Sequence, residues 1–301
     1  MPIAAVALER LGFLTIGLCD GNDPARGHRT TLEMIELGER LGFDNAWLRH
    51  RHLQYGISSP VAVMAAASQR TTRIGLGTAV TPLGWENPLR LAEDLATLDV
   101  LSSGRINPGV SVHAPMHFDE VKAALYPDSA EFEDFTYERV ERLLRLVSGG
   151  AAATFSGTEG FEQYSDQVQP HSPGLRARMW YGAGSLSSAR WAGEHRMHLL
   201  TSSVVQAEES MDFSEIQRSQ IRAFRAAHPD GDAARVSQGL VVIPTDSATR
   251  EQKDKYARYV AARTPRTYEP QGPRRMMFSR DHLGTSEEIA TALYADAGFA
   301  R

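Results

Sequence analysis

The feature of this chain that most constrains its fold is a repeated alternation of short β-rich segments with longer helical ones. Seven segments are rich in strand-forming residues: 11–18, 45–49, 73–80, 105–112, 178–183, 198–203 and 236–243. Helical segments between most of them predict parallel strands with crossover helices. About seven such units in 301 residues favour an α/β fold of the TIM (β/α)8 barrel type over an open doubly wound sheet.

Capping signals predict where several helices begin. Ser59 and Asn87 each precede a proline, which suits an N-cap followed by the first helical position. Thr285 stands three residues before Glu288, the spacing of a capping box. The segment 29–41 predicts an amphipathic helix. Its apolar residues near one face are Leu32, Ile35, Leu37 and Leu41.

The alternation predicts a single TIM-barrel domain over residues 1–301, with two insertions. Residues 151–173 are rich in Gly, Ser and Pro and precede the fifth strand. Residues 263–280 carry three prolines and are a candidate lid at the barrel mouth. Because a closed barrel needs eight strands and seven are found, we expect the eighth strand to be missing from this chain and to lie beyond Arg301.

Charge and cysteine content exclude several classes of protein. Lysine and arginine number 32 against 37 aspartates and glutamates, for a net charge of −5 without like-charge blocks. We therefore expect no nucleic-acid or membrane partner. The single cysteine, Cys19, allows no internal disulfide and suits a reducing cytosol, and no run of 18 apolar residues occurs. These features predict a soluble, cytoplasmic protein.

The predicted ends of the strands carry few charged side chains. They offer no pair of carboxylates, which a glycosidase needs as its acid and base, so the sequence does not favour glycosidase chemistry. His50 and His52 alternate along an extended segment and can face one side, which suits proton transfer or metal binding. His113 is a further candidate ligand for a metallohydrolase. Because no acidic strand end completes a ligand set, we predict no metal site.

The clearest ligand signal is the run from 180 to 190, WYGAGSLSSAR. Gly182 and Gly184 allow close approach of the backbone to a ligand. Ser185 and Ser188 offer hydroxyls, and the following helix offers free N–H groups. The run lacks the third glycine of the dinucleotide fingerprint, so a mononucleotide phosphate fits better than a pyrophosphate. The alternative interpretation is an ordinary strand-to-helix turn with an N-cap.

Five segments together resemble the luciferase-like flavin-dependent monooxygenases, the family of the bacterial luciferase α and β chains. They are 37–53, 58–80, 87–105, 180–195 and 282–299. The most specific text is R-I-x-L-G-T-A-V, then NP-x-R-x-A-E, then LD-x-L-S-x-GR. The resemblance implies a TIM barrel that binds a flavin-type cofactor.

The same resemblance assigns cofactor positions. Residues 78–80 correspond to a non-proline cis peptide that leans on the flavin ring, and the turn near Gly184 corresponds to the flavin phosphate site. At the fourth strand the family often has glycine-rich text, where this chain has the bulkier Ser111. The expected cofactor-binding residues are Thr78, Ala79, Ser111, Gly182, Gly184, Ser185 and Ser188.

The end of the second strand departs from the family. Relatives often have E-H-H there, whereas this chain has His50, Arg51 and His52, of which only His52 matches. We predict His52 as a proton donor or ring-orienting group and Arg49 as a group that steers an anion.

The predicted function is a flavin-dependent two-component monooxygenase, which uses reduced FMN and oxygen on a small organic substrate. A separate flavin reductase is expected, because the chain has no dinucleotide fold of its own. The alternatives are an oxidoreductase that uses coenzyme F-420 for hydride transfer, a flavin-binding barrel with little turnover, and the metallohydrolase. The resemblance also implies a homodimer, formed through helices around 58–101.

Overall fold

The computed structural model describes residues 9–298, which fall into two units. The first unit comprises residues 10–180, and the second comprises residue 9 with residues 181–298. The predicted single domain over 1–301 stays a prediction. The expected eighth strand beyond Arg301 lies outside the described residues.

The first unit alternates strands and helices as the sequence predicts. Its strands are β1 (Gly12–Thr15), β2 (Asn45–Leu48), β3 (Gly75–Thr78), β4 (Thr81–Pro82), β5 (Ile106–Asn107), β6 (Gly109–Ser111), β7 (Gly157–Glu159) and β8 (Glu162–Tyr164). Its helices are α1 (Pro24–Arg40), α2 (Pro60–Ser68), α3 (Pro88–Leu101), α4 (Phe118–Leu125) and α5 (Tyr137–Val147). The sequence analysis did not predict α4.

Parallel pairing organises the strands of this unit. β1, β2, β3 and β5 form one sheet in that order, and all neighbours in it run parallel. β4 pairs in parallel with β6, while β7 and β8 form an antiparallel hairpin within the predicted insertion 151–173. All four residues of β2 are buried, as expected for a strand covered on both faces, whereas Leu14 of β1 is exposed.

Helix α1 begins earlier than predicted and buries a different stripe. Pro24 takes the first helical position, and the Asp23 side chain accepts a hydrogen bond from the Arg26 amide at 3.0 Å. The buried residues follow the spacing of one helical face: Thr31, Ile35 and Gly38. The expectation that Leu37 and Leu41 share this face is wrong, because they are 45% and 67% exposed.

Arg105, the last residue of the segment 87–105, connects three neighbouring parts of the backbone. Its guanidinium donates to the backbone carbonyls of Ser68, Thr71 and Ile74 at 2.8, 2.9 and 3.0 Å. Its Nε donates to the carbonyl of Ser102 at 2.9 Å. One side chain therefore ties the end of α2 and the approach to β3 to the turn before β5, so this motif has a structural role.

The second unit contains shorter and more varied pairings. Its strands are β9 (Trp180–Ala183), β10 (His198–Thr201), β11 (Val204–Gln206), β12 (Val236–Ser237), β13 (Val241–Pro244), β14 (Met276–Phe278) and β15 (Asp281–Gly284). Its helices are α6 (Leu186–Glu194), α7 (Phe213–Ala227), α8 (Arg250–Arg263) and α9 (Ser286–Tyr294). β12 runs parallel to β10, β15 runs parallel to β13, and β14 runs antiparallel to β11.

Residues 263–280, the candidate lid, contribute to the core of this unit. Met277 of β14 is buried in one cluster with Val205, Ala207 and Ile216. β11, β14 and β15 lie outside the seven segments predicted as strands. Among the helices of residues 9–298, none has the length and apolar character needed to cross a bilayer.

A glycine-to-alanine substitution tests how α1 packs on β1. A Cβ at Gly38 would come within 2.3 Å of the Phe13 ring. We expect Gly38→Ala to lower the free energy of unfolding by about 1–3 kcal/mol in urea denaturation, although alanine favours a helix by about 1 kcal/mol. In a Phe13→Ala background the same substitution should cost less. An equal cost in both backgrounds would show that this packing is not the cause.

Candidate functional site

Two imidazoles follow β2 and lie against each other. His50 is 3% exposed, and its ring centroid is 4.4 Å from that of His52. The Nε2 atom of His50 lies 2.9 Å from the carbonyl oxygen of Ser58. Since a carbonyl only accepts, Nε2 carries the proton, and Nδ1 of the neutral ring keeps its lone pair. That Nδ1 atom is buried without a hydrogen-bond partner.

The ring of His52 is held by an aromatic neighbour. It stacks on the indole of Trp85 with centroids 4.2 Å apart and planes 8° from parallel. Trp85 ends a 3-10 turn over Leu83–Trp85 that follows β4. The Nε2 atom of His52 is buried and makes no hydrogen bond. The stacking thus fixes the plane of an imidazole that has an unused nitrogen.

Glu86 completes this group, and the sequence analysis missed it. One side-chain ligand atom from each of His50, His52 and Glu86 lies within 4.8 Å of the others, and Glu86 Oε1 is 3.9 Å from His50 Nε2. We sought acidic residues at strand ends, whereas Glu86 lies in the loop before α3. Its position after the third predicted strand was the available signal, since loops after parallel strands share one edge.

The buried Arg139 holds the backbone of this loop. Its Nε donates to the carbonyl of Leu83 at 2.8 Å, and a terminal nitrogen donates to the carbonyl of Glu86 at 2.7 Å. The guanidinium also donates to Tyr126 Oη and to a Glu133 carboxylate oxygen, at 2.7 and 2.8 Å. Arg139 therefore holds the main chain of Leu83 and Glu86, on either side of Trp85.

Burial controls the protonation of the three groups. It lowers the pKa of His50 to about 4, with the neighbouring His52 as the next cause. It also lowers the pKa of His52. Burial raises the pKa of Glu86 to about 7, and the Asp94 charge adds to this while Arg139 opposes it. Both imidazoles are therefore neutral at pH 7.

The other predicted site residues of the first unit lie where the parallel strands end. Arg49 is half-buried after β2, and its positive charge contributes, after burial, to a lowered pKa of Arg51. The hydroxyl of Thr78 is committed to the backbone of Gly109, to which it donates at 2.7 Å and from which it accepts at 3.0 Å. Ser111 is half-buried at the end of β6.

Ala79 follows β3, and its amide donates to the carbonyl of Leu48 at 2.9 Å. The peptide bond between Ala79 and Val80 is cis, as the resemblance implied. His113, the other candidate metal ligand, is exposed, and the group of His50, His52 and Glu86 does not include it.

The glycine–serine turn belongs to the second unit and lies between β9 and α6. Ser185 is the N-cap of α6, and its hydroxyl accepts from the Ser188 amide at 3.2 Å. The Ser188 hydroxyl accepts from the Ser185 amide at 3.1 Å, so the two residues form a capping box. Gly182 lies in β9 and Gly184 in the turn, and both are half-buried. Among the predicted phosphate residues, the structure brings Ser185 and Ser188 into direct contact.

A carboxylate already occupies one amide at this helix end. Glu208 Oε2 accepts from the Leu186 amide at 2.6 Å. A Cβ at Gly184 would meet nothing within 4 Å, so there is open space beside the turn. The turn therefore fits a phosphate group, provided that Glu208 leaves the Leu186 amide.

Replacing Arg139 tests its role in holding the loop of Glu86. We expect Arg139→Lys to lower the free energy of unfolding by about 3 kcal/mol, because buried carbonyls lose their donors. Hydrogen exchange at residues 83–86 should speed up. Arg142→Lys is the matched control, since Arg142 is about half exposed and should cost below about 0.5 kcal/mol. Similar losses for both variants would contradict the assignment.

Comparison with known proteins gives a match along most of the chain. The family described as Luciferase-like monooxygenase matches residues 6–298. A relative from Streptomyces nodosus subsp. asukaensis, 4-hydroxyprotoasukamycin monooxygenase, is 33% identical over 154 residues, which cover 50% of this chain and 40% of the relative. An F420-dependent glucose-6-phosphate dehydrogenase from Amycolatopsis mediterranei is 29% identical over 127 residues, covering 40% and 37%. The chain thus matches half or less of the length of these relatives.

Solved structures show which fold the chain has. The oxygenating constituent of 3,6-diketocamphane monooxygenase from Pseudomonas putida, solved in complex with FMN, superposes with a TM-score of 0.61 at 14% identity. The superposition covers 84% of this chain and 71% of that one. Such a likeness shows the fold alone, which is that of the luciferase-like TIM barrels and confirms the predicted fold class.

Proposed function

Because the chain belongs to the luciferase-like monooxygenase family, we propose that it is a flavin-dependent oxidoreductase that works as the oxygenating component of a two-component monooxygenase. The observation that carries this proposal is the turn before α6, with open space beside Gly184. Reduced FMN, when bound, supplies the electrons with which molecular oxygen is activated to oxygenate a small organic substrate.

The turn before α6 supplies the proposed phosphate contacts. The absent side chain of Gly184 leaves room for the phosphate, and the first-turn amides of α6 lie at the positive end of the helix dipole. We assign Ser185 and Ser188 as hydroxyl donors, although the Ser188 hydroxyl must first leave the Ser185 carbonyl, to which it donates at 3.0 Å. Glu208 must release the Leu186 amide when an anion arrives, so the protein's own carboxylate competes with the ligand.

Residues of the first unit have the proposed role of contacting the flavin ring and the substrate. Thr78 holds the end of β3 through Gly109. We assign Ala79, the next residue, and Ser111 the role of contacting the ring. His52, neutral at pH 7 and oriented by Trp85, orients the ring or exchanges a proton with a bound group.

Arg49 has the proposed role of attracting an anionic substrate or cofactor group. It contributes to the lowered pKa of Arg51, as expected for two nearby like charges. Two guanidinium groups after β2 give this region a positive potential, which favours an anion.

Hydride transfer with coenzyme F-420, without oxygen, is the second candidate function. The observation that favours it is the similarity to an F420-dependent glucose-6-phosphate dehydrogenase. Both cofactors have a phosphate that the turn before α6 can hold, and F-420 adds a longer anionic tail. Titration of the purified protein with FMN, reduced FMN and F-420 separates the two candidates. FMN binding without oxygen uptake would instead indicate a flavin-binding barrel with little turnover.

Two partners complete the proposal. A separate flavin reductase supplies reduced FMN, and a second copy of the chain forms a homodimer through the helices around 58–101. Supporting evidence for the dimer is the exposure of apolar side chains on α3, where Val100 and Leu101 are 54% and 53% exposed. Oxygen uptake with and without a flavin reductase, and light scattering, test these proposals.

Gly184→Ala tests the phosphate site without disturbing the fold. The added Cβ meets nothing within 4 Å, so the thermal midpoint should stay unchanged. The methyl group fills space that the phosphate needs, so FMN affinity in a fluorescence titration should fall by about 10-fold, or about 1.4 kcal/mol. Ser247→Ala, which changes an exposed serine of the same unit outside the predicted phosphate set, is the control. Unchanged FMN affinity in Gly184→Ala would show that the FMN phosphate does not bind at this turn.

Glu208→Gln tests the competition between the protein carboxylate and the ligand phosphate. Removing a negative charge at the helix N-terminus should tighten FMN binding by about fivefold at low ionic strength, from about 1 kcal/mol of helix-dipole interaction. The neighbouring Glu209→Gln changes the net charge equally and serves as the control. Weaker FMN binding in Glu208→Gln than in Glu209→Gln would contradict the competition.

A further inference from the structure

The group of His50, His52 and Glu86 has the composition of a metal-binding site. Two imidazoles and one carboxylate are a set found at catalytic zinc and non-haem iron centres. We propose that His50, His52 and Glu86 bind one divalent first-row transition-metal ion. The sequence analysis rejected a metal because no acidic strand end completed the ligand set; Glu86, from a loop, supplies that carboxylate.

The spacing of the three side chains is close to what such an ion needs. One nitrogen or oxygen atom from each of the three side chains lies within 4.8 Å of the others, and His50 Nε2 is 3.9 Å from Glu86 Oε1. Ligand atoms about 2.1 Å from a tetrahedral ion are about 3.4 Å apart. Side-chain rotations that move the ligand atoms by about 1 Å therefore bring them to bonding distance from one ion. The side chain of Glu86 is 27% exposed and has room for such a movement.

The unused lone pairs of the imidazoles are the second argument. His50 Nδ1 and His52 Nε2 are buried and have no hydrogen-bond partner. A buried polar atom left without a partner costs about 1–3 kcal/mol, and a bound metal ion is one group that satisfies such a lone pair. The Nε2 of His50 donates to the carbonyl of Ser58 at 2.9 Å. In metal sites, such a carbonyl partner fixes the tautomer that frees the other nitrogen.

The surroundings keep the three ligands in the required state and place. The hydrogen bond from His50 Nε2 to the Ser58 carbonyl keeps the Nδ1 lone pair of His50 available. Trp85 fixes the ring plane of His52, and Arg139 fixes the main chain of Glu86. Two nitrogens and one oxygen favour ions such as Zn²⁺, Co²⁺ or Fe²⁺ over Mg²⁺ and Ca²⁺. Three protein ligands leave a position open for water or a substrate oxygen.

Titration of the full chain with Co²⁺ tests the site, because its visible absorption reports nitrogen and oxygen ligands directly. We expect one equivalent to bind, with Zn²⁺ displacing it. Glu86→Gln keeps the shape of the side chain and the carbonyl held by Arg139, but should weaken Co²⁺ binding by about 100-fold. His113→Gln removes an exposed histidine of the same unit and should leave binding unchanged.

Thermal unfolding provides a readout that does not depend on colour. Zn²⁺ should raise the melting temperature of the unmodified chain and of His113→Gln, but not that of Glu86→Gln, since an ion that binds only the folded state stabilises it. His52→Asn is a second ligand variant, for use if Glu86→Gln folds poorly. Its melting temperature without metal, compared with that of the unmodified chain, shows whether it folds.

Three results would overturn the metal proposal: absence of one-equivalent binding, equal Co²⁺ affinity in Glu86→Gln, or loss of binding in His113→Gln. His52 belongs to both proposals, so the FMN titration is compared in Glu86→Gln, because Glu86 has no role in the flavin proposal and no residue of the turn before α6 is a proposed metal ligand. The metal proposal and the flavin proposal can therefore fail separately.

Discussion

Parallel pairing of β2 with β3 is the constraint on which the site of the first unit depends. The register places Leu48 beside Thr78, so the chain leaves both strands at the same edge. Residues 49–52 and 79–86 therefore start as neighbours, although about 30 residues separate them in sequence. An antiparallel pair would send these segments to opposite ends of the sheet, and His52 and Glu86 would not meet.

Two arginines, the buried Arg139 and the half-buried Arg105, hold the loops around these strands in place. Most N–H groups of Arg139 and Arg105 donate to backbone carbonyls. Loops leave such carbonyls without partners, because they lack the regular hydrogen bonds of helices and sheets. A guanidinium has five donors in a planar fork, so one side chain can hold several carbonyls. Lysine has one nitrogen and could not span them. The rigidity of the Glu86 loop thus comes from a residue more than 50 positions away.

The sequence predicted the elements whose signals are local. The N-cap at Asn87 and the capping box of Thr285 with Glu288 occur as expected, because each depends on residues within one helical turn. The turn of Ser185 and Ser188 forms a capping box, as the alternative interpretation of an N-capped turn predicts, and its phosphate site stays a prediction. Short strands such as β14 escaped prediction, since three residues carry no periodic signal.

By itself the sequence determined the strand–helix alternation, the fold class and the family, because these depend on patterns that repeat or run along the chain. Tertiary structure alone decided which distant groups meet. Glu208 reaches the Leu186 amide and Glu86 joins the two imidazoles after β2. Neither carboxylate stands in a motif, so only the folded backbone brings it to its partner. The same folding changes the chemistry of these groups, since burial, which no sequence pattern states, moves the pKa of His50 to about 4.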